Sequence, residues 1–128
     1  MFVYINTTEF ENIVKTNSAN LFVLEGKNMK TRKGLFSEIA KKLYFPSYFG
    51  KNWNALDECL QDLDWLTYDS IKILIRDFYE ILSEDHSDEQ NIFVDCLETA
   101  NDFWEMEQEK RVDFYIQNYP HIQCISPS

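Results

Sequence analysis

Pro46-Ser-Tyr-Phe-Gly-Lys-Asn-Trp-Asn-Ala-Leu-Asp-Glu-Cys-Leu-Gln-Asp-Leu-Asp-Trp-Leu66, followed at once by the strongest strand signal in the chain, Ile71-Lys-Ile-Leu-Ile75, joins a loop, an amphipathic helix and a core strand. Pro46 cannot continue a preceding helix and pushes Phe45 out of the α region. Gly50 punctuates the loop, and Asn52 has the short polar side chain that caps a helix starting at Trp53. On that helix Trp53, Leu56, Leu60 and Leu63 share one side, the core face. Asn54, Glu58, Gln61 and Trp65 share the opposite side, with Asp57 and Asp62 flanking them. The outward face is therefore expected to be acidic, to carry the Trp65 indole near its far end, or to lose it to the core if the helix ends early, and to be entered through a loop whose Tyr48 either faces out or packs on the core.

Upstream, Phe2–Ile5 and Leu21–Leu24 are short β-branched or aromatic runs that read as strands. Thr8-Glu-Phe-Glu11 has capping-box spacing and leads into a short helix through Ile13 and Val14. Gly26 marks a turn. From about Thr31, Leu35, Phe36, Ile39, Ala40 and Leu43 recur at helical spacing. Downstream, the polar stretch 83–90 reads as a loop running into a helix with a broad apolar stripe of Ile92, Phe93, Cys96, Leu97, Ala100, Phe103 and Trp104. Val112–Ile116 reads as the last core strand, and Ile122–Ile125 as a short extra edge or a packed tail. Strands alternating with helices predict an α/β layer structure with a small parallel sheet. No repeat or interdomain linker interrupts the 128 residues, so one domain is expected.

Composition narrows the function classes. The chain is 45% hydrophobic and 16% aromatic, enough for a sizeable core and unlike a disordered tail. No apolar run approaches the roughly 20 residues that span a bilayer, and the first residues lack a signal-peptide pattern. Cys59, Cys96 and Cys124 are an odd number at wide spacing with no CxxC, so the reading is a reduced, cytoplasmic protein without a disulfide framework or zinc knuckle. Twelve basic residues stand against 22 acidic ones, a net charge of −10. The imbalance is local: residues 1–43 sum to +3 and residues 44–128 to −13. A surface that negative repels phosphate backbones and attracts a basic partner, unless it serves only to keep the protein dispersed.

The ordered set Pro46, Tyr48, Phe49, Gly50, Asn52, Ala55, Leu56, Glu58, Cys59 and Leu60 resembles the barstar family of small intracellular inhibitors of barnase-like ribonucleases. The resemblance covers roughly residues 20–116, leaving residues 1–20 as an N-terminal strand–helix extension and 117–128 as a C-terminal tail. It implies a three-stranded parallel sheet flanked by helices, and an inhibitor, monomeric when free, that plugs a ribonuclease active site without cofactor or metal. Tyr48 matches the partner-facing loop tyrosine, Asn52 the helix-start asparagine, and Glu58 the acid that enters the enzyme's phosphate site. Gln61, Asp62 and Leu63 match the far end of the contact helix. Glu98 and Asp102, spaced i, i+4, fall where a second acidic helix would contribute. The chain departs from the family where Asn54 replaces an acid one turn before Glu58, where Glu58 replaces a shorter Asp, and where Asp57 stands in a position common for Trp. These departures bear on the identity of the target more than on the mode of binding.

Physically, a cleft that holds RNA phosphates must present cations, and outward carboxylates on a stiff helix can stand in for those phosphates. Glu58 would be the central mimic, Asp57 and Asp62 would add field, Glu98 and Asp102 would act at the rim, and Tyr48 and Trp65 are candidate aromatic anchors. An alternative keeps the acidic face but changes the partner to another basic toxin, such as a DNase, or to a basic regulator. An enzyme has little to work with. His86 and His121 lie in loop and tail, the three glycines form neither a P-loop nor a dinucleotide fingerprint, and Cys59 and Cys96 fall on apolar faces. A carboxylate-only hydrolase built on Glu58 with Asp57 or Asp62 is the remaining catalytic reading. The basic stretch Lys27-Asn-Met-Lys-Thr-Arg-Lys33 reads as a secondary anion site or as a solvated loop and first helical turn.

Overall fold

A computed structural model describes residues 1–117. Ile122–Ile125, His121 and Cys124 lie outside the described residues. Ten elements follow one another: β1 (Phe2–Ile5), α1 (Thr7–Lys15), β2 (Leu21–Glu25), a 3-10 turn (Gly26–Asn28), α2 (Arg32–Lys42), α3 (Trp53–Leu60), β3 (Ser70–Arg76), a second 3-10 turn (Phe78–Glu80), α4 (Ser87–Glu107) and β4 (Arg111–Gln117).

The four strands form one parallel sheet in the order β1-β4-β3-β2. Three strands were expected, with the first strand and helix as an extension. Instead Phe2 pairs with Phe114 and Ile5 with Gln117, so β1 takes up the ladder groups that would leave β4 an open edge. The connection from β1 runs through α1 to β2 at the opposite edge.

Both faces are covered, as a parallel sheet requires. On the main face Ile71, Ile73, Ile75, Leu24 and Phe114 meet Leu35 and Ile39 of α2, Leu56 and Leu60 of α3, and Phe93, Leu97 and Ala100 of α4. On the other face Leu74 and Ile5 pack with Phe10 of α1. The continuous apolar run of β3 reflects this: alternate residues serve opposite cores. Fully burying side chains such as Leu56 and Leu60 stabilises the fold by about 1.5–3 kcal/mol each.

Helix starts follow local polar chemistry, with one shift from expectation. The capping box is formed by Asn6 and Glu9, two residues before the predicted pair: Asn6 Oδ1 accepts from Glu9 N at 2.8 Å, and Glu9 Oε1 from Asn6 N at 3.3 Å. Asn6 directly follows β1, so the cap closes the chain reversal there, while Glu11 pairs with Arg76. Thr31 caps α2 through Gly34 N at 3.0 Å. Gly26 packs against the end of β3, where a Cβ would overlap the carbonyl oxygens of Arg76 and Asp77; only glycine lets the two strand ends meet.

Candidate functional site

The site grows from the loop between α2 and α3. Its aromatics divide by side. Phe49 points in, with ring centroids 4.9 Å from Phe45 and 6.1 Å from Phe36, while Tyr48, its neighbour, is 74% exposed. Packing of Phe49 and the turn bond from Phe49 N to Pro46 O at 3.0 Å hold the loop, so Tyr48 is presented rather than free to fold back. Asn52 then starts α3. Its Oδ1 accepts from Ala55 N at 2.8 Å and its Nδ2 donates to Gly50 O at 3.4 Å, so one side chain ties the loop to the helix.

Tyr48, Asn52, Asn54, Glu58 and Asp62 converge on one open cleft of about 500 Å³, with Phe49, Gly50, Ala55 and Cys59 completing its lining. Asn54 and Glu58 are exposed and one turn apart on α3, whereas Asp57 and Gln61 are half-buried. Among the described residues, Asp57, Glu58 and Asp62 have no ion pair. Acids elsewhere do: Glu11 and Glu25 meet Arg76, Glu38 meets Lys42, Glu80 meets Lys30 and Glu89 meets Arg32. The carboxylates of the cleft are thus left without internal counterions. Asp62 Oδ1 also accepts from Asp64 N at 3.2 Å, which fixes its orientation.

The field of these acids is felt by two thiols. Burial, then Asp62 and Glu58, push the Cys59 thiol up; burial, then Asp57 and Asp95, push Cys96 up to about 11. Both cysteines are buried on the facing helices, and both stay protonated near neutral pH. That is the opposite of what a nucleophile needs.

Five sequence-predicted residues, Asp57, Gln61, Trp65, Glu98 and Asp102, do not line the cleft. Helix α3 ends at Leu60, and Leu63 takes a left-handed backbone with φ 53°, so the helical face does not extend to Trp65. Trp65 turns inward instead: its Nε1 donates to Leu43 O at 2.8 Å and its ring lies edge-on to Phe45 at 5.7 Å. Trp65 thereby closes the end of α2, and its expected place as an anchor on the outward face is corrected. Glu98 lies on the flank of α4 toward β1, where its charge, after burial, raises the Tyr4 hydroxyl. Asp102 is exposed. Asp95, beside Cys96 on α4, adds to the field on that thiol.

Among the described residues no group of three His, Cys, Asp or Glu side chains could hold a metal ion, and no helix is long and apolar enough to cross a membrane.

The chain is thus a parallel α/β domain with helices on both faces, whose capped α3 carries acids that have no ion pair among the described residues. A family model described as Barstar (barnase inhibitor) matches residues 19–118, and the chain belongs to the barstar family. That match takes in β2 through β4 and the whole cleft, and leaves out β1 and α1. No curated protein matches the chain.

Proposed function

We propose that the chain inhibits a basic, barnase-like ribonuclease by seating the acidic face of α3 and its preceding loop in the enzyme's phosphate-binding cleft. The observation that carries this reading is the convergence of Tyr48, Asn54, Glu58 and Asp62 on one open cleft whose acids have no ion pair among the described residues. Unpaired carboxylates on a short, capped helix need no reorganisation to accept charge-assisted hydrogen bonds from Arg or Lys.

In this reading Glu58 takes the place of the scissile or neighbouring phosphate. Asp62 and Asp57 deepen the negative potential, and Tyr48 covers the edge of the enzyme's cleft as an aromatic anchor. Asn52 sets the angle of the helix, and Asn54 and Gln61 add neutral hydrogen bonds on either side of Glu58. Glu98 and Asp102 act at the rim, raising the association rate more than lasting affinity. Inhibition works by occupation: RNA and the helix compete for the same cations.

A second reading keeps this face and changes the partner to another basic toxin, such as a DNase. It is favoured by one feature, Asn54, which leaves the outward face of α3 with Glu58 as its single acid and so fits a cleft of different cation spacing.

The test is inhibition of RNA cleavage by a barnase-type ribonuclease in a dose series, with DNA cleavage by a basic DNase run beside it. Glu58→Ala is expected to weaken the complex by about 2–5 kcal/mol, since it strands buried cations in the enzyme. Full RNA cleavage at excess inhibitor, with DNA cleavage blocked, would transfer the assignment to the second reading; neither blocked would end both.

A further inference from the structure

Strand β2 is an edge of the sheet, with β3 beside it on one side only. Asn20 O accepts from Lys72 N of β3 at 3.0 Å. By alternation Phe22 and Leu24 turn their main-chain groups to β3, and Leu21, Val23 and Glu25 turn theirs outward. An outward row of N–H and C=O groups is a template for another strand. An open groove of about 560 Å³ runs beside Leu21, Phe22 and Val23, with Lys42, Tyr44 and Tyr68 on its walls, so this edge is reachable from solvent.

Helix α2 reaches the row at two points. Lys42 Nζ donates to Val23 O at 3.1 Å, and Glu38 Oε2 accepts from Glu25 N at 2.9 Å. The two side chains pair with each other at 3.2 Å, one turn apart, and Asn28 Nδ2 donates to Glu38 Oε1 at 3.3 Å. Glu38 is 6% exposed; it and Asp113 are the two buried acids among the described residues. Burying a carboxylate is costly, and an apolar side chain would fill the same place between α2 and β2 at less cost. What the pair does that an apolar side chain cannot do is occupy main-chain groups of the edge.

Val23 is the residue on which the edge turns. Its N–H has no partner among the described residues, while its carbonyl is held by Lys42. In an antiparallel pair, a residue facing its own copy across a two-fold axis exchanges both bonds, N–H to O and O to N–H. Val23 has the outward groups for that exchange, and Lys42 takes one of the two that must be free. A lysine is a common defence of an edge strand. Here it comes from the neighbouring helix and is aimed by Glu38.

We propose that Lys42, aimed by Glu38, keeps this chain from joining its β2 to β2 of a second copy. The acidic cleft takes no part, so the test is independent of the ribonuclease reading.

Glu38→Gln with Lys42→Met removes one charge of each sign and leaves the net charge at −10. Mass is read by light scattering over a concentration series, with far-UV circular dichroism to check folding. The parent is expected to keep the mass of one chain up to about 1 mM, and the double variant to approach the mass of two over about 10–500 μM. Lys42→Met alone frees the same carbonyl and is read in the same way should the double variant not fold. Val23→Pro added to the associating variant is expected to restore the mass of one chain, because it removes an outward N–H and leaves the β2–β3 bonds in place. In the parent, the Val23 amide is expected to exchange with deuterium about tenfold or more faster than those of Phe22 and Leu24. The proposal is overturned if the folded variants keep the mass of one chain, if the dimer survives Val23→Pro, if the parent already dimerises through this edge, or if its Val23 amide is as protected as its neighbours.

Discussion

The indole N–H of Trp104 on α4 donates to the carbonyl oxygen of Leu60, the last residue of α3, at 2.7 Å inside the core. Helix C-termini leave carbonyls without intrahelical partners, and a buried one must be satisfied elsewhere. Trp65 does the same for α2 through Leu43 O. Two tryptophans thus close the helices on either side of the acidic loop. The site is held from both ends, by Asn52 at the start of α3 and by Trp104 at its finish.

Trp104→Phe keeps the ring and removes the donor. It leaves the Leu60 carbonyl buried and unsatisfied, and is expected to cost about 1–3 kcal/mol in urea unfolding with the slope unchanged. Inhibitory potency should fall less than stability, because the acids themselves are untouched. An unchanged midpoint would show that the Leu60 carbonyl finds another donor.

Asn52→Ala removes the cap at the other end. A loss of about 1 kcal/mol is expected, with Asn52→Asp restoring most of it, since an aspartate accepts the same Ala55 N–H and suits the helix dipole. Thermal melts of the three proteins provide the comparison. Asn52→Asp falling as far as Asn52→Ala would place the importance of Asn52 in its donor to Gly50 instead.

Neutralising the acids should separate stability from binding. Asp57 and Glu58 are adjacent on α3, Asp62 follows its end, and none has an internal counterion among the described residues. Glu58→Gln and Asp57→Asn are each expected to raise stability by about 0.2–0.5 kcal/mol per relieved like-charge pair while weakening inhibition. Melts showing only losses would mean that the carboxylates stabilise the free protein and are not mutually repelling there.

How far the sequence carried these conclusions differs from element to element. The strands were visible because Ile71–Ile75 and Val112–Ile116 are dense in β-branched and aromatic residues, and Asn52 was visible because capping is a local, one-residue signal. The pairing of β1 with β4 was not, because neighbours in a parallel sheet are decided by the whole packing and not by any local run. The end of α3 was missed for a related reason: the apolar spacing continues through Leu63, and no Gly or Pro marks the left-handed turn there. That one turn carried Trp65 from the outward face to the core. Glu98 and Asp102 came from the resemblance and their i, i+4 spacing, which says nothing of what packs beside α4; the Tyr4 hydroxyl of β1 lies near enough to Glu98 to feel its charge.

Cys96 gives a pH dependence of definite sign. Its thiol titrates at about 11 in the folded protein, held up first by burial and then by Asp57 and Asp95, against an ordinary value of 9.0 when unfolded. Between those values the unfolded chain has lost the proton and the folded one has kept it, so unfolding releases a proton and stability falls as pH rises from about 9 to about 11. Below that window the contribution is complete and independent of pH. Cys96→Ala forms a cavity and lowers stability throughout, but it should flatten this part of the profile relative to the parent chain. Asp57→Asn removes the leading charge and should shift the window toward lower pH, with faster alkylation of Cys96 at pH 9 as a second readout. Denaturant melts at pH 8, 9, 10 and 11 on the three proteins decide it: parallel profiles for the parent and Cys96→Ala would show that another group sets the alkaline limit.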